Sequence, residues 1–136
     1  MKMTNALVMI LALTLWHECR GEPWAGKMAV ASVIYAHAEG RPDRMKAVVF
    51  AKKQFSCWNR RSKTRLHGPE IRNAADMRAW RECWTIADCL ANGTFKPCVK
   101  ASYYHTRQVR PSWARRMVVV KAVGRHVFYR AKAKAA

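Results

Sequence analysis

The sequence contains very few acidic side chains. Its 136 residues include 8 Asp and Glu against 26 Lys and Arg, which gives a formal net charge of +18. So large a positive charge predicts a polyanionic partner, and it leaves nucleic acid, anionic lipid, lipopolysaccharide and teichoic acid open. The scarcity of acids also limits any carboxylate chemistry to a short set of residues: Glu18, Glu22, Glu39, Asp43, Glu70, Asp76, Glu82 and Asp88.

The sequence also lacks the usual cysteine and histidine spacings of metal sites. Its five cysteines are Cys19, Cys57, Cys83, Cys89 and Cys98. They contain no C-x-x-C pair, and no histidine spacing fits a zinc finger, so we predict no metal and no cofactor. Because the count is odd, a complete disulfide framework is disfavoured and free thiols are expected. A single bridge from Cys83 or Cys89 to Cys98 stays open.

No apolar run is long enough to span a membrane comfortably. Residues 6–16 follow Lys2 and resemble the charged start and apolar core of a signal peptide. The run is short for a span, and no small-x-small cleavage site follows it. We therefore predict an amphipathic core helix, and a retained signal-anchor over residues 4–16 is the alternative.

The chain is rich in apolar residues, which make up 51% of it and exclude a disordered, collagen-like or low-complexity chain. Its length fits one domain, 1–136, ending in a short basic tail. Periodicity and turn residues predict four helices, a basic loop over 51–72 and three strands. The helices are 4–20, 24–36, 43–50 with Asp43 as cap, and 74–91 ended by Asn92-Gly93; the strands are 101–105, 117–120 and 127–129. The fold class is α+β, dominated by helices, with a small antiparallel sheet.

Two carboxylates flank the break between the first two helices. Glu18 lies on the last turn of an apolar helix, where the negative end of the helix dipole and apolar surroundings raise a carboxyl pKa toward that of a general acid. Glu22 directly precedes Pro23 at the start of the next helix, where a carboxylate is favoured, so it is expected to be an ionised cap or assisting group. Two acids with separated pKa values are typical of glycoside-cleaving sites. The structural alternative is that Glu22 only caps and Glu18 pairs with Arg20 or Lys27.

Five blocks of sequence carry a resemblance to a known family. The stretch LTLWHECRGEPWAGKMAVASVIYAHA resembles the opening motif of the SleB-type cell-wall hydrolases. The blocks VVFAKKQFSCWN, ASYYHT, PSWA and GRHVFYR follow in the order of that family. The chain departs from the pattern at Cys19, where the family commonly has Ala, and at His37, where Arg is usual.

The resemblance implies a lysozyme-like fold and cleavage of peptidoglycan glycan strands between N-acetylmuramic acid and N-acetylglucosamine. It implies that Glu18 protonates the leaving glycosidic oxygen. Attack by the sugar's own 6-hydroxyl would give a 1,6-anhydro product, as in a lytic transglycosylase. Attack by water would give a reducing end, as in a muramidase, and a second polar group would then have to orient the water. Glu22 is a poor candidate for that task, because Pro23 turns the chain away.

Two further groups of residues are predicted to bind the sugar. Gln54 offers an amide, and Phe55 and Trp58 offer flat rings that stack on sugar faces, although both rings also suit a core. Strand alternation places Tyr103 and His105 on one side and Tyr104 on the other, and one of those sides should line the groove.

The layout of the chain predicts a phage endolysin that lyses Gram-negative hosts. Such a protein is made in the host cytoplasm, reaches the periplasmic peptidoglycan through a holin and acts as a monomer. A bacterial or spore-germination enzyme is the alternative. The charge would hold it on anionic envelopes, and no motif indicates a specific nucleic acid. A non-catalytic protein that binds nucleic acid or membranes is the competing class. A third alternative is a membrane-active cationic module in residues 107–134 that acts beside the enzyme.

Overall fold

The computed structural model describes residues 3–51 and 68–132, with side chains from residue 5 onward. Within these ranges four α-helices precede a three-stranded antiparallel sheet. The helices are α1 (Met3–Cys19), α2 (Trp24–His37), α3 (Pro42–Phe50) and α4 (Ala74–Asn92). The strands are β1 (Tyr103–Thr106), β2 (Met117–Val123) and β3 (His126–Ala131), with a short 3-10 helix, Ser112–Arg116, before β2. The predicted α+β class is confirmed.

Helix α1 forms the centre of the core. Every residue from Leu11 to Trp16 is at most 2% exposed, and the helix packs mainly against α4 while α2 and α3 cover its other sides. Trp16 meets the ring of Trp80 in α4 edge-on, with ring centroids 6.0 Å apart. The predicted core helix is confirmed, but it is not amphipathic, because all of its faces are buried from Leu11 to Trp16. No helix in the described ranges is long and apolar enough to cross a membrane.

The sequence predicted two helix ends from local signals, and one of these predictions is confirmed while the other is wrong. Gly93 takes a left-handed conformation (φ +81°) and ends α4 as predicted, since glycine adopts this conformation without strain. The prediction that Asp43 caps α3 is wrong. Arg41 is the N-cap and Pro42 the first helical residue, a position that proline favours, while Asp43 pairs with Arg41 at 3.0 Å within the first turn.

The sheet has the strand order β1-β3-β2 and gives its two faces different surroundings. Tyr104 pairs with Phe128, and Tyr103 pairs with Tyr129. Because paired residues project to the same face and neighbours alternate, Tyr104 and Phe128 share one face and Tyr103 and Tyr129 the other. Phe128 is fully buried against the helices. The predicted alternation of Tyr103, Tyr104 and His105 is therefore confirmed.

Four cysteines lie within the described ranges, and all are free thiols: Cys19, Cys83, Cys89 and Cys98. The possible bridge from Cys83 or Cys89 to Cys98 is therefore not formed. Cys98 instead has its Sγ 3.7 Å from the hydroxyl of Ser32 in α2. Burial raises the pKa of Cys83 to about 12, so this thiol stays protonated and unreactive at neutral pH.

Candidate active site

Glu18 lies on the last turn of α1, where that helix meets the sheet. The hydroxyl of Tyr104 in β1 donates a hydrogen bond to Glu18 Oε1 at 2.5 Å. Neither side chain is fully exposed. The contact joins the end of the buried helix to the sheet face that packs on the core, so it fixes one oxygen of the carboxyl group and the direction in which the group points.

The protonation of Glu18 is shifted by its surroundings. Burial raises its pKa, because a charged carboxylate loses hydration there, and the Tyr104 hydrogen bond offsets part of this rise. The direction agrees with the one predicted from the apolar helix end. A carboxyl group whose pKa is raised holds its proton closer to neutral pH, which suits a proton donor.

The structural alternative for Glu18 requires an ion pair with Arg20 or Lys27, and both cations are engaged elsewhere. The Arg20 guanidinium lies over the Trp16 ring, 5.3 Å from its centroid. Lys27 is buried, pairs with Glu82 at 3.0 Å and also donates to the backbone carbonyl of Glu22. These contacts contradict the ion-pair alternative.

Glu22 is also buried, but it serves the hairpin between β2 and β3. Its Oε1 accepts hydrogen bonds from the backbone N–H of Arg125 and from His126 Nδ1, both at 2.7 Å. Gly124 has φ +56°, and a Cβ there would come within 2.7 Å of Glu22 Oε2, so the turn needs glycine. The prediction that Glu22 caps α2 is wrong, because the donors of the hairpin occupy its carboxylate.

A chain of contacts leads from Glu22 to Glu18. The ring of His126 meets the ring of Tyr104 edge-on, with centroids 5.1 Å apart, and Phe128 packs on the same tyrosine at 5.5 Å. Tyr104 then donates to Glu18. The sequence alone assigned His126 no role in the site. The block GRHVFYR was the available signal, since it holds both His126 and the glycine of the turn.

The other predicted binding residues are not brought to Glu18 by these contacts. Tyr103 and His105 lie on the opposite face of the sheet from Tyr104. Tyr103 contacts the rings of His37 and Trp113, both at 5.7 Å. His105 stacks on Tyr129 at 5.1 Å. Their sugar-binding role stays a prediction, and Gln54, Phe55 and Trp58 lie outside the described residues.

Tyr104→Phe tests the contact between Tyr104 and Glu18. The change removes a hydrogen bond that lowers the pKa of Glu18, so that pKa should rise further. If Glu18 acts as the proton donor, the alkaline limb of the pH–rate profile should move to higher pH, because the donor must be protonated. Loss of one hydrogen bond to the carboxyl group should also reduce kcat/KM by about tenfold. The measurement is the rate of peptidoglycan solubilisation across pH.

Tyr103→Phe is the matched control, since it removes the same hydroxyl one residue away on the other face. Its alkaline limb should stay at the wild-type pH. If the alkaline limb lay at the same pH in the wild type and in Tyr104→Phe, the Tyr104 hydrogen bond would not set the pKa of Glu18.

The sequence matches a known family over most of its length. A family model described as Cell Wall Hydrolase matches residues 21–129. The chain belongs to the cell wall hydrolase family. This confirms the resemblance carried by the five sequence blocks. The matched range of this cell wall hydrolase includes Glu22, Tyr104 and His126, and Glu18 stands three residues before it.

A named relative is also similar to this sequence. This cell wall hydrolase is 29% identical over 124 residues to the spore cortex-lytic enzyme of Halalkalibacterium halodurans. That alignment covers 89% of this chain and 34% of the relative, so the chain spans about a third of the relative's length.

Two solved structures share the fold of this cell wall hydrolase. The catalytic domain of the germination-specific lytic transglycosylase SleB from Bacillus anthracis has a TM-score of 0.64 and 21% identity, covering 96% of this chain and 97% of that one. The catalytic domain of the Bacillus cereus SleB protein has a TM-score of 0.60 and 20% identity, covering 93% of this chain and 91% of that one. The fold implied by the sequence resemblance is thus confirmed.

Proposed function

We propose that this cell wall hydrolase cleaves the glycan strands of peptidoglycan between N-acetylmuramic acid and N-acetylglucosamine, with Glu18 as the general acid. The observation that carries the proposal is the Glu18 carboxyl group at the end of α1, whose pKa is raised by burial and whose Oε1 is held by Tyr104. Membership of the family supports the class of substrate.

In the first step, Glu18 gives its proton to the glycosidic oxygen. Because Oε1 accepts from Tyr104, we assign the proton to Oε2. The bond between the anomeric carbon and that oxygen breaks, its electron pair stays on the leaving oxygen, and positive charge develops on the sugar. Glu18 is left as a carboxylate, which the Tyr104 hydrogen bond stabilises.

In the second step, the Glu18 carboxylate takes the proton of the hydroxyl group that attacks the anomeric carbon. If the 6-hydroxyl of the same sugar attacks, the product carries a 1,6-anhydro end and no water is consumed. If water attacks, a second group must orient it. Glu22 is poorly suited to that task, because its Oε1 is occupied by Arg125 and His126. We therefore favour the route that needs one carboxylate, as in a lytic transglycosylase.

Mass spectrometry of the fragments released from purified peptidoglycan tests this proposal. Muropeptides lighter by one water, with 1,6-anhydro ends, are the expected product. Muropeptides with reducing ends would keep glycan cleavage but replace the intramolecular attack by hydrolysis. Free peptides released from intact glycan strands would overturn the proposal, because the bond cleaved would then be an amide.

We also propose that the protein is a phage endolysin for Gram-negative hosts. It would be made in the host cytoplasm, pass to the periplasmic peptidoglycan through a holin and act as a monomer. The net charge of +18 supports attraction to an anionic envelope, which salt would weaken.

A further inference from the structure

A concave surface lies on the far side of the sheet from Tyr104. It is a cavity of about 530 Å³ between β3, β2 and the segment that includes the 3-10 helix. Tyr129 and Val119 are paired across β3 and β2 and share the face that lines it. Tyr104 and Phe128 project from the other face, so this cavity is separate from the Glu18 site.

Among the residues that the structure describes, the cavity is lined by arginine side chains and by no acidic side chain. Arg107, Arg110 and Arg115 line it. None of them forms an ion pair within the part of the chain that the structure describes. The sequence from Cys89 to the end contains no Asp or Glu, while its cations are Lys96, Lys100, Arg107, Arg110, Arg115, Arg116, Lys121, Arg125, Arg130, Lys132 and Lys134. No acidic side chain belongs to the described lining of the cavity, so this lining attracts an anionic ligand.

The same cavity presents apolar side chains to solvent. Val109 and Val119 line it and are 50% and 59% exposed, the two highest values among the large hydrophobic side chains in the described ranges. Val119 stands at the β-bulge that interrupts the register before Lys121. A soluble polyphosphate has no apolar surface for the exposed valines to contact. A lipid surface uses both features, because its phosphates bind arginine and its acyl boundary accepts apolar side chains.

We propose that this cavity is a docking site for an anionic phospholipid surface. Arg107, Arg110 and Arg115 bind headgroup phosphates, and Val109 and Val119 reach the acyl boundary. The site lies on the opposite face of the sheet from the contact between Tyr104 and Glu18. It is independent of the proposed glycan cleavage, since it requires only that the fold presents this face.

Vesicle co-sedimentation of the full chain tests the site. One set of vesicles is phosphatidylcholine alone, and the other is an equal mixture of phosphatidylcholine and phosphatidylglycerol. The wild type should bind the mixed vesicles and not the neutral ones. Each arginine near an anionic surface contributes about fivefold, so Arg110→Gln with Arg115→Gln should weaken partitioning by about 25-fold. The control is Arg78→Gln with Arg81→Gln, which removes the same charge from an exposed face of α4.

A second variant tests the apolar part without changing the charge. Val119→Thr keeps a β-branched residue in β2 and should weaken vesicle binding, whereas Ile71→Thr, at another exposed position, should not. If the double variant in the cavity and the double variant in α4 lost the same amount of vesicle binding, net charge would explain the binding and the proposal would be overturned. It would also fail if neutral vesicles bound equally well, or if the cavity variants lost binding to sodium polyphosphate but not to vesicles.

Discussion

Replacing Glu18 with Gln should abolish peptidoglycan cleavage while leaving the chain folded. Gln has nearly the same shape, and its amide oxygen still accepts the hydrogen bond from Tyr104, but it has no acidic proton to transfer. Removal of a general acid costs about 10²- to 10⁴-fold in rate, so the initial rate of release from dye-labelled peptidoglycan should fall by at least about 100-fold. Glu70→Gln is the control, because Glu70 is an exposed carboxylate paired only with Arg72 among its described contacts.

The same variant should change how stability depends on pH. The pKa of Glu18 is raised in the folded protein above its ordinary value of 4.5, so the folded state holds this proton more tightly than the unfolded state. The resulting stability is fully present below the ordinary pKa and is lost as pH rises through the raised one. Relative to Glu18→Gln, the wild type should therefore lose free energy of unfolding across that window, as urea titrations at several pH values would show.

A Glu18→Gln variant with full activity would remove Glu18 from the mechanism. If Glu18→Gln showed no cooperative transition in the urea titrations, the variant would not fold, and the expectation that Gln fits at position 18 would be wrong. Equal pH dependence of stability in the wild type and the variant would contradict the raised pKa itself.

Replacing Glu22 with Ala should cost about 3–5 kcal/mol in free energy of unfolding, the range for breaking a buried, hydrogen-bonded charge. The change leaves the Arg125 N–H and His126 Nδ1 without their acceptor and opens space beside Gly124. Because His126 packs on Tyr104, the contact between Tyr104 and Glu18 should loosen as well. Urea denaturation gives the energy, and the pH–rate profile reports the effect on Glu18.

Glu22→Gln removes the charge of this side chain but keeps an acceptor oxygen in nearly the same position. An amide oxygen can accept the same two hydrogen bonds more weakly, so the loss should be about 1–2 kcal/mol, with the alkaline limb of the pH–rate profile near that of the wild type. Glu70→Ala should stay within about 0.5 kcal/mol, as a surface change does. If Glu22→Ala cost no more than Glu70→Ala, Glu22 would not hold the hairpin.

Features set by neighbouring residues were predictable from the sequence. The glycine after Asn92 ends α4, and the alternation of Tyr103, Tyr104 and His105 follows from the period of a strand. The position of Glu18 at the end of an apolar helix gave the correct direction of its pKa shift. Each of these depends on residues within a turn or two of one another.

Features set by distant residues were not predictable in the same way. Tyr104 reaches Glu18 across 86 positions, and the Arg125 N–H reaches Glu22 across 103. Local reasoning assigned Glu22 to the start of α2 because a carboxylate is favoured there. The buried His126 Nδ1 and the partly buried Arg125 N–H outweigh that preference, since leaving both unpaired would cost more than a missing cap. The amphipathic expectation for α1 failed similarly, because packing against other elements buries every residue from Leu11 to Trp16.

The role of Glu18 as the general acid of glycan cleavage is tested by mass spectrometry of released muropeptides. One peptidoglycan preparation is treated with equal amounts of wild type, Glu18→Gln and Glu70→Gln. We expect glycan fragments with 1,6-anhydro ends from the wild type and from Glu70→Gln, and none from Glu18→Gln. Glycan fragments released by Glu18→Gln at the wild-type rate would contradict this role.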